Sequence, residues 1–552
     1  MFSIVDVKIN RSSFDKEEYC IPAVVKIGVT GHRVLENEHK LIESVNNILL
    51  QLDEIFKRIL KNTPHTFVII SPLAEGADRL VARSVMKRKV SGEMDTSNLE
   101  VVLPLSEEDY LNDFKTSESK DDFKALLTKA KYVLTLEKAD SRKAAYEQVG
   151  RYVVDNCDVL IAIWDGKPAA GQGGTAEIIG YARKMGRYLF WINSENGNIK
   201  EEMHKEHISR SLKNIEIYNA ESLSINEMDS KFKARYGTLA KKADDSGLSR
   251  VFLEPLCENL LPQSVRASLL AQKYQKLHMK AGSFIYILAV MAVATVTIQR
   301  FFLSDYPKWL WLEFLWMLLI LILLRISDRG KWHRKWIDYR FLAERLRASI
   351  FLCMVGIRCK PPKAPPHLSI SHRPDDWMIK AFEWIWDQRP KLPSNRVEFE
   401  HLKKFLLVAW IDDQVSWYRK TSKRHRRMHL WFTRSGVSLF FITLVVAAIE
   451  ASQLAHFLPI SFDSVPEILT SMAIILPAVG AALAGIRIHH EYLRNAERYC
   501  HMGIHLSSVS ERIREAKDMK TLTRLLEEAN EMMLRENQDW RVVFLFQKLE
   551  AP

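Results

Sequence analysis

The chain has 552 residues, of which 47% are hydrophobic and 26% are charged, so it is neither wholly disordered nor collagen-like. Its formal net charge of +12 is compatible with anionic ligands, nucleic acid or an anionic membrane surface as partners. The six cysteines form no CxxC pair, which argues against a disulfide scaffold or a zinc ribbon and indicates a reducing compartment. The first residues, MFSIVDVKINRSS, contain no apolar run, and we expect no cleavable signal peptide.

The first 200 residues alternate short apolar runs with amphipathic stretches. The runs predict six strands, at 24–29, 67–71, 99–103, 132–136, 159–164 and 188–193. The stretches predict five helices, at 39–59, 77–87, 120–130, 144–156 and 175–184. This alternation is typical of an α/β fold, and we expect a Rossmann-like, doubly wound parallel sheet. Ligands of such sheets bind at the carboxyl ends of the strands.

Three clusters of polar residues and glycines follow predicted strands. They are GVTGHR at 28–33, LAEGADR at 73–79 and WDGKPAAGQGGTAE at 164–177. Because they meet at one edge of the sheet, we predict that they form one ligand site. The candidate ligand-binding residues are Thr30, Gly31, His32, Arg33, Glu75, Gly76, Asp78, Arg79, Trp164, Gly173, Gly174, Thr175 and Glu177.

These residue types favour a phosphate-bearing ligand with hydroxyl groups. Arg33 can pair bidentately with a phosphate, and Glu75 or Asp78 can accept hydrogen bonds from ribose hydroxyls. The glycines of the third cluster precede a helix whose N-terminus can bind an anion. A plain turn with a solvated Arg33, and helix capping by Asp78, are the alternatives that stay open.

Several familiar sites have no motif in this chain. The sequence contains neither GxxxxGK[ST] nor a GxGxxG after the first strand, which disfavours a P-loop NTPase and a standard dinucleotide dehydrogenase. It contains no HExxH, and we predict no metal site and no cofactor. The basic run 423–427 is interpreted as a membrane flank that faces anionic lipid, so no nucleic-acid partner is expected.

Four apolar stretches dominate the remainder of the chain, at 281–299, 309–324, 435–449 and 468–486. With flanking residues each approaches the about 20 residues that a membrane span needs. We predict spans over about 281–303, 309–325, 435–455 and 468–486. Buried core helices are the alternative, but these stretches lack the polar stripe typical of such helices. Small residues at 480–485 predict close packing of the fourth span in a homo-oligomer.

The flanking charges predict the topology of the spans. Lys and Arg cluster after the second span, before the third and after the fourth, whereas the connection 450–467 contains none. The positive-inside rule therefore predicts a multi-pass protein of the plasma (inner) membrane whose N- and C-termini are both cytoplasmic.

The membrane half contains a repeated motif. The pattern Y-x-x-x-A-E-R occurs at 339–345 and again at 492–498, and it predicts a duplicated unit of two spans and a helix. The Glu-Arg pair is interpreted equally as a surface salt bridge or as a subunit contact. The predicted domains are 1–200 for ligand binding, 201–263 as a helical connection, 264–355 and 416–552 as the two units, and 356–415 as a proline-rich linker with helices.

The motifs VTGHR, SPLAEGADR and GGTxE, within residues 24–193, resemble those of the SLOG superfamily. The paired spans with Y-x-x-x-A-E-R helices, within residues 264–506, resemble SLATT domains, which are the two-helix membrane effectors associated with SLOG in prokaryotic conflict systems. The resemblance implies that the soluble domain binds a nucleotide or cyclic nucleotide-type signal. It also implies a pore-forming or membrane-disrupting output in anti-phage defence.

The SLOG group also includes phosphoribohydrolases with a P-G-G-x-G-T-x-x-E loop. This chain has GQGGTAE at 171–177, without the proline and with Glu177 only two residues after Thr175. The departure puts hydrolysis in doubt, although Glu177 can still act as a general acid or base. Three hypotheses follow: a ligand-gated membrane effector, a membrane-anchored nucleotide or N-glycosidic hydrolase that uses Glu177, and a membrane scaffold whose SLOG-like domain has lost its ligand.

Overall fold

A computed structural model describes residues 19–88, 98–136, 139–168, 173–202, 206–356, 377–390, 398–452 and 465–545. The chain forms two compact units. The N-terminal unit comprises Met1–Ser222 together with His372–Gln388, and the helical unit comprises Leu223–Ser371 and Arg389–Pro552. The proline-rich linker at 360–374, the first two residues of the GQGG loop and the end of the predicted third span, 453–455, lie outside the described residues.

The N-terminal unit is built on a mostly parallel sheet, which confirms the predicted α/β class. Its strand order is β4-β3-β2-β1-β5-β6-β7, and only β7 is antiparallel to its neighbour. The strands are β1 (Ala23–Gly31), β2 (His65–Ser71), β3 (Leu99–Leu103), β4 (Tyr132–Thr135), β5 (Val159–Trp164), β6 (Tyr188–Asn193) and β7 (Ile199–Glu202). All six predicted strands are present, whereas β7 was not predicted.

Helices cover this sheet because their apolar residues recur on one face. In α1 the buried residues include Leu41, Val45, Ile48 and Leu52, spaced three or four apart as one helical face requires. The helices of this unit are α1 (Glu38–Ile59), α2 (Ala77–Met86), α3 (Glu107–Leu111), α4 (Ser117–Leu127), α5 (Arg142–Asn156), α6 (Thr175–Lys184), α7 (Glu206–Ala220) and α12 (Trp377–Asp387). The central strands lie buried between them, as parallel strands usually do.

Helix α12 belongs to this unit although it lies about 150 residues further along the chain. It packs against α7 and β1. Lys380 Nζ contacts both carboxylate oxygens of Asp158, at 2.5 and 2.6 Å, and both side chains are buried. Glu383 approaches Lys26 Nζ at 3.4 Å, and Asp387 pairs with Lys131. The helix is therefore held to the sheet by specific charge pairs as well as by its apolar face.

The helical unit consists of long helices. They are α8 (Ile225–Ser246), α9 (Arg250–Phe302), α10 (Leu310–Gly330), α11 (Trp332–Met354), α13 (Phe399–Leu406), α14 (Asp412–Ala451), α15 (Val465–His489), α16 (Tyr492–Glu515) and α17 (Met519–Leu545). A π-helical turn, Leu407–Ile411, joins α13 to α14. At about 1.5 Å per residue α9 is about 80 Å long, so its first part extends well beyond a bilayer core of about 30 Å.

Four helical segments are long and apolar enough to cross a membrane. They are Arg250–Phe302, Pro307–Met354, Phe399–Ala451 and Val465–Glu515. In each apolar window at most 22% of the residues are buried within the chain. Soluble helices do not leave such faces open to water, so lipid or further subunits cover them. The chain is a membrane protein.

The segments that follow the second and fourth predicted spans begin with a break. Lys331 and Glu491 adopt left-handed backbone conformations, with φ of 50° and 47°, and they separate α10 from α11 and α15 from α16. Tyr339 lies eight residues after its break, whereas Tyr492 comes directly after the other. The two copies of Y-x-x-x-A-E-R therefore differ in position by about two helical turns relative to the breaks.

Close packing brings the first and fourth predicted spans together within one chain. A Cβ atom on Gly485 of α15 would lie only 2.7 Å from Cδ1 of Tyr286 on α9. Glycine at this position therefore permits the contact. Gly480 has no neighbour within 4 Å of the same hypothetical atom. Gly485 thus lies at a contact between two helices of the chain, whereas Gly480 lies on a different, uncovered surface of the same span.

Candidate functional site

A pocket of about 580 Å³ opens at the carboxyl ends of the strands in the N-terminal unit, where the strand order reverses between β1 and β5. This is where open α/β sheets bind ligands. Its lining comes from the ends of these strands, the start of α6 and facing parts of α2, α3 and α5. The lining residues are Val29, Thr30, Gly31, His32, Arg33, Pro72, Ala74, Asp78, Tyr110, Tyr146, Val149, Gly150, Val153, Trp164, Asp165, Lys167, Pro168, Gly173, Gly174, Thr175, Ala176 and Ile178.

The structure brings all three predicted clusters to this pocket, but not every residue in them. Those that line it are Thr30, Gly31, His32, Arg33, Asp78, Trp164, Gly173, Gly174 and Thr175. Glu75, Gly76, Arg79 and Glu177 are not among its lining residues. Each of these four stabilises a loop that carries lining residues.

Gly76 positions the backbone of the first cluster, residues 28–33. Its φ of 74° is a left-handed conformation, and a Cβ atom there would lie 2.5 Å from the carbonyl oxygen of His32. The next residue, Ala77, donates its backbone N–H to that same oxygen at 3.0 Å. Gly76 therefore lets the start of α2 approach the backbone of His32 and Arg33, and it is a positioning residue.

Arg79 and Glu75 form a buried network beside the pocket. The Arg79 guanidinium donates to the carbonyl oxygen of Leu73 at 3.1 Å, and to Ser119 and Asp122 at 3.0 and 3.1 Å. Ser119 in turn donates to the Glu75 carboxylate at 2.5 Å. With Arg79 only 5% exposed, these bonds tie the loop after β2 to α4, and neither side chain lines the pocket.

Glu177 is engaged within the glycine loop. Its carboxylate accepts a hydrogen bond from the backbone N–H of Gly173 at 2.8 Å, in the first turn of α6. Gly173 has a left-handed φ of 79°, which the carboxylate stabilises. Gly174, Thr175 and Ala176 then present the N-terminus of α6 to the pocket, where backbone N–H groups can bind an anion.

Asp78 brings a carboxyl group into a nearly dry part of the pocket. It is 6% exposed and accepts the backbone N–H of Ala74 at 3.3 Å. Burial raises its pKa to about 7, against the smaller opposing effects of the Ala74 hydrogen bond and the charges of Arg33 and Arg79. The group can therefore donate or accept a hydrogen bond near neutral pH.

The opposite wall carries exposed charge. Lys167 Nζ lies 3.4 Å from Asp165, and the Lys167 backbone N–H donates to Asp165 at 3.0 Å, which lowers the pKa of Asp165. The backbone N–H of Asp165 donates to His32 Nε2 at 3.1 Å. Arg33 lies over the Tyr146 ring at 5.6 Å and forms no ion pair among the described residues. Arg33 is thus a cation at the rim that is available to a ligand.

Sequence reasoning missed the aromatic wall. Tyr110 of α3 and Tyr146 of α5 line the pocket with their centroids 6.3 Å apart, and the Tyr110 side chain is buried. The Tyr146 hydroxyl donates to Asp113. Neither residue belongs to a glycine-containing cluster, and only the packing of α3 against α5 brings them together. Asp165 and Lys167, by contrast, stood within the third cluster and could have been selected as its polar members.

One family model matches part of the chain. Residues 408–540, which include α14 to α16, match the SMODS and SLOG-associating 2TM effector domain 1 (SLATT_1). The SLATT part of the sequence-based resemblance is therefore confirmed for this region, and the family suggests a membrane effector in conflict or defence systems. No curated protein matches the chain. The match covers about a quarter of the sequence, and the SLOG resemblance of the N-terminal unit stays a prediction.

Proposed function

We propose that this protein is a membrane effector of a prokaryotic conflict system, in which the N-terminal unit binds a nucleotide-derived signal and oligomeric spans open a pore. The observation that carries the proposal is the effector-domain match at 408–540, in a chain that also has a large pocket at the switch point of an α/β sheet. If the sensor and the effector are parts of one chain, no separate protein is needed to connect ligand binding to the membrane.

The pocket chemistry supports a nucleotide-type ligand. Its volume of about 580 Å³ falls in the usual range for small-molecule sites, roughly 300–1,000 Å³. The partly exposed ring of Tyr146, with buried Tyr110 behind it, offers a surface for a base, and the α6 N-terminus with Arg33 offers donors for phosphate. Asp78, with a pKa near neutrality, can hydrogen bond to a base edge or to a ribose hydroxyl in either protonation state.

The membrane part supports an oligomeric output. One chain contributes four candidate spans, and their apolar windows are mostly unburied within it. Four helices are too few to enclose an aqueous channel, so several copies would line a pore. A ligand opens such a pore only if the open assembly binds it more tightly than the closed one.

The binding step is tested on the full-length protein in detergent with mononucleotides, cyclic mononucleotides and cyclic dinucleotides. Arg33→Ala removes one charge-assisted pair and should weaken binding about tenfold or more. The matched control is Arg58→Ala, because Arg58 is 80% exposed on α1 and remote from the pocket. Equal affinities of Arg33→Ala and the parent protein would place the ligand elsewhere.

The output is tested in liposomes that contain the full-length protein. A nucleotide found to bind tightly should release an entrapped dye, and the Arg33→Ala protein should need a correspondingly higher concentration. If a tight ligand causes no release at any protein density, the pore part of the proposal is wrong.

The anchored hydrolase is the second candidate, and one observation favours a different residue for it. The Glu177 carboxylate already accepts a hydrogen bond from the backbone N–H of Gly173. Asp78, in contrast, lines the pocket with a pKa of about 7, which suits a general acid or base at neutral pH. The same nucleotide panel decides between the candidates by product analysis. Turnover that is abolished in Asp78→Asn would favour the hydrolase, and binding without turnover favours the effector.

A further inference from the structure

Two adjoining cavities lie within the helical unit, far along the chain from the nucleotide pocket. Each has a volume of about 270 Å³. They share six lining residues: Gln275, Trp336, Arg340, Arg424, His425 and Tyr499. Arg235 and Arg347 line the second cavity as well. We call the combined space the arginine cavity, after Arg235, Arg340, Arg347 and Arg424.

The arginine cavity is formed by helices from both halves of the unit. Gln275 belongs to α9, Arg340 to α11, Arg424 to α14 and Tyr499 to α16. Gln275 and Arg424 precede a predicted span on their helices, whereas Arg340 and Tyr499 follow one. All four parts therefore lie on the same side of the predicted membrane. Gln275 stands six residues before the first predicted span, or about 9 Å along α9, which is near the level of lipid headgroups.

Positive charge in the arginine cavity exceeds negative charge. Four guanidinium groups line it, and the only lining carboxylate among the described residues is Glu344, which pairs with Arg347. Glu536 faces Arg340 from α17, but it also lies 3.8 Å from Arg498. Uncompensated charge that is withdrawn from water costs free energy unless an anion accompanies it.

The partners of the individual arginines include acidic as well as neutral groups: Glu344 pairs with Arg347, and Glu344 and Glu536 lie near Arg340. Arg235 donates to the Ser268 hydroxyl at 3.2 Å and Arg347 to the Gln414 side chain at 2.9 Å. Burial and the nearby charge of Arg347 lower the pKa of Arg235. Arg340 interacts with the Tyr499 hydroxyl.

The field of these groups extends to the neighbouring imidazole. Burial lowers the pKa of His425 to about 4, and the charges of Arg424 and Arg340 act in the same direction. At neutral pH this ring is therefore uncharged and can donate or accept a hydrogen bond, and it adds no further positive charge to the cavity.

We propose that the arginine cavity binds a phosphate group, supplied either by an anionic phospholipid headgroup or by a free phosphate compound. Guanidinium groups match phosphate oxygens bidentately, and basic pockets between membrane helices on the headgroup side bind anionic lipids. A phosphate held there bridges α11 to α14 and so joins the two halves of the helical unit. The site is separate from the nucleotide pocket, and neither proposal depends on the other.

The test measures thermal stabilisation of the full-length protein in a neutral detergent at constant ionic strength. The probes are sodium phosphate, dioctanoyl phosphatidylglycerol and dioctanoyl glycerol, which has the same tails without phosphate. Stabilisation by phosphatidylglycerol alone identifies a lipid headgroup as the source, and stabilisation by sodium phosphate as well identifies free phosphate. Both results support the proposal. If neither phosphate compound stabilises the protein more than dioctanoyl glycerol does, the proposal is overturned.

The variants locate the site. Arg424→Gln, at the exposed mouth of the cavity, should weaken the effective probe about tenfold or more. Arg427→Gln removes the same charge from the same helix outside the cavity and should leave the affinity within about twofold. Equal losses in both variants would indicate diffuse attraction to the basic run and would contradict the proposal. Because Arg424 is exposed, we expect Arg424→Gln to fold normally. Arg235→Gln is an independent second variant, and we expect it to weaken binding of the effective probe by the same factor.

Discussion

At the scale of single residues, Asp78 shows how a pocket can hold a buried carboxyl group whose ionisation is unfavourable. Its carboxyl group is nearly excluded from water, yet no cation pairs with it closely enough to restore its ordinary pKa. Arg79, the next residue, donates hydrogen bonds to the carbonyl oxygen of Leu73 and to Asp122 on α4. The pocket therefore keeps a carboxyl group that is half protonated near pH 7, and this has a measurable consequence for stability.

We predict that Asp78→Asn stabilises the protein more at pH 8 than at pH 5. The pKa of Asp78 is about 7 in the folded state and near 3.8 when unfolded. Between these values the folded state binds more protons, so stability falls as the pH rises and the loss is complete above pH 7. The asparagine variant does not titrate and should gain about 2–3 kcal/mol relative to the parent between pH 5 and pH 8.

The measurement is thermal unfolding of the full-length protein at both pH values. Asp121→Asn is the matched control, because Asp121 is an exposed carboxyl group on α4. If Asp78→Asn and the control have the same pH dependence, Asp78 is ionised in the folded state and its proposed role in hydrogen bonding is wrong.

Only part of the pocket could be predicted from the sequence. The clusters around Arg33 and Thr175 were accessible because glycines and polar residues follow strands whose ends must meet. Tyr110 and Tyr146 were not, since their approach depends on packing between two helices that are 31 residues apart or more. The supporting roles of Gly76 and Glu177 were also hidden, because a glycine that contacts a backbone and one that contacts a ligand look identical in sequence.

At the scale of elements, α12 connects two parts of the chain. It lies between the second and third predicted spans in sequence but packs on the sheet of the N-terminal unit. The Lys380–Asp158 pair is its most buried polar contact, with each side chain 8% exposed. Asp158 directly precedes β5 and also accepts the backbone N–H of Lys26 at 2.7 Å, so the pair fixes α12 to the central strands β1 and β5.

We predict that Lys380→Met destabilises the docking of α12 by about 3–5 kcal/mol, because it leaves Asp158 buried without its cation. The double variant Lys380→Met, Asp158→Asn should recover most of this loss, since neither charge then remains. Hydrogen exchange of the α12 amides in the full-length protein measures the effect. Lys124→Met, which changes an exposed lysine on α4, is the control. Unaltered exchange in Lys380→Met would mean that the other contacts of α12 hold the helix without this pair.

The two glycines of α15 predict separable effects. Gly485→Leu should unfold or loosen the membrane part of a single chain, because the new side chain would overlap Tyr286. A Cβ atom at Gly480 has no neighbour within 4 Å among the described residues, so Gly480→Leu should leave the thermal stability within about 1 kcal/mol.

If Gly480 faces a second copy, Gly480→Leu should nevertheless weaken the oligomer and reduce ligand-dependent dye release. Cross-linking in liposomes and the release assay measure this. A Gly480→Leu protein with normal oligomers and normal release would show that this glycine faces lipid only.

The elements were easier to predict than their termini. The six strands and the four apolar helices follow from continuous runs of apolar residues, which few other structures tolerate. The antiparallel strand β7, Ile199–Glu202, lies at the sheet edge and has three charged residues among its four, so no apolar run marks it. The breaks at Lys331 and Glu491 were equally hidden, since neither residue type normally adopts a left-handed conformation.

At the scale of the whole molecule, the chain combines an α/β unit that has a ligand pocket with a helical unit whose apolar surface is mostly uncovered. The Lys and Arg residues are unevenly distributed around the candidate spans. They cluster around the break at Lys331 and along the first part of α14, and they are sparse between α9 and α10. Clusters of basic residues beside a span are attracted electrostatically to the anionic lipid of the cytoplasmic leaflet.

We predict from this asymmetry that the N-terminal unit and the C-terminal helices lie together in the cytoplasm, and that both short connections lie outside. A reporter fused after Pro552 should therefore be active only if it functions in the cytoplasm. The same reporter inserted after Asp305, between α9 and α10, should be inactive, whereas alkaline phosphatase at that position should be active. Alkaline phosphatase activity after Pro552 would contradict a four-span topology with cytoplasmic termini.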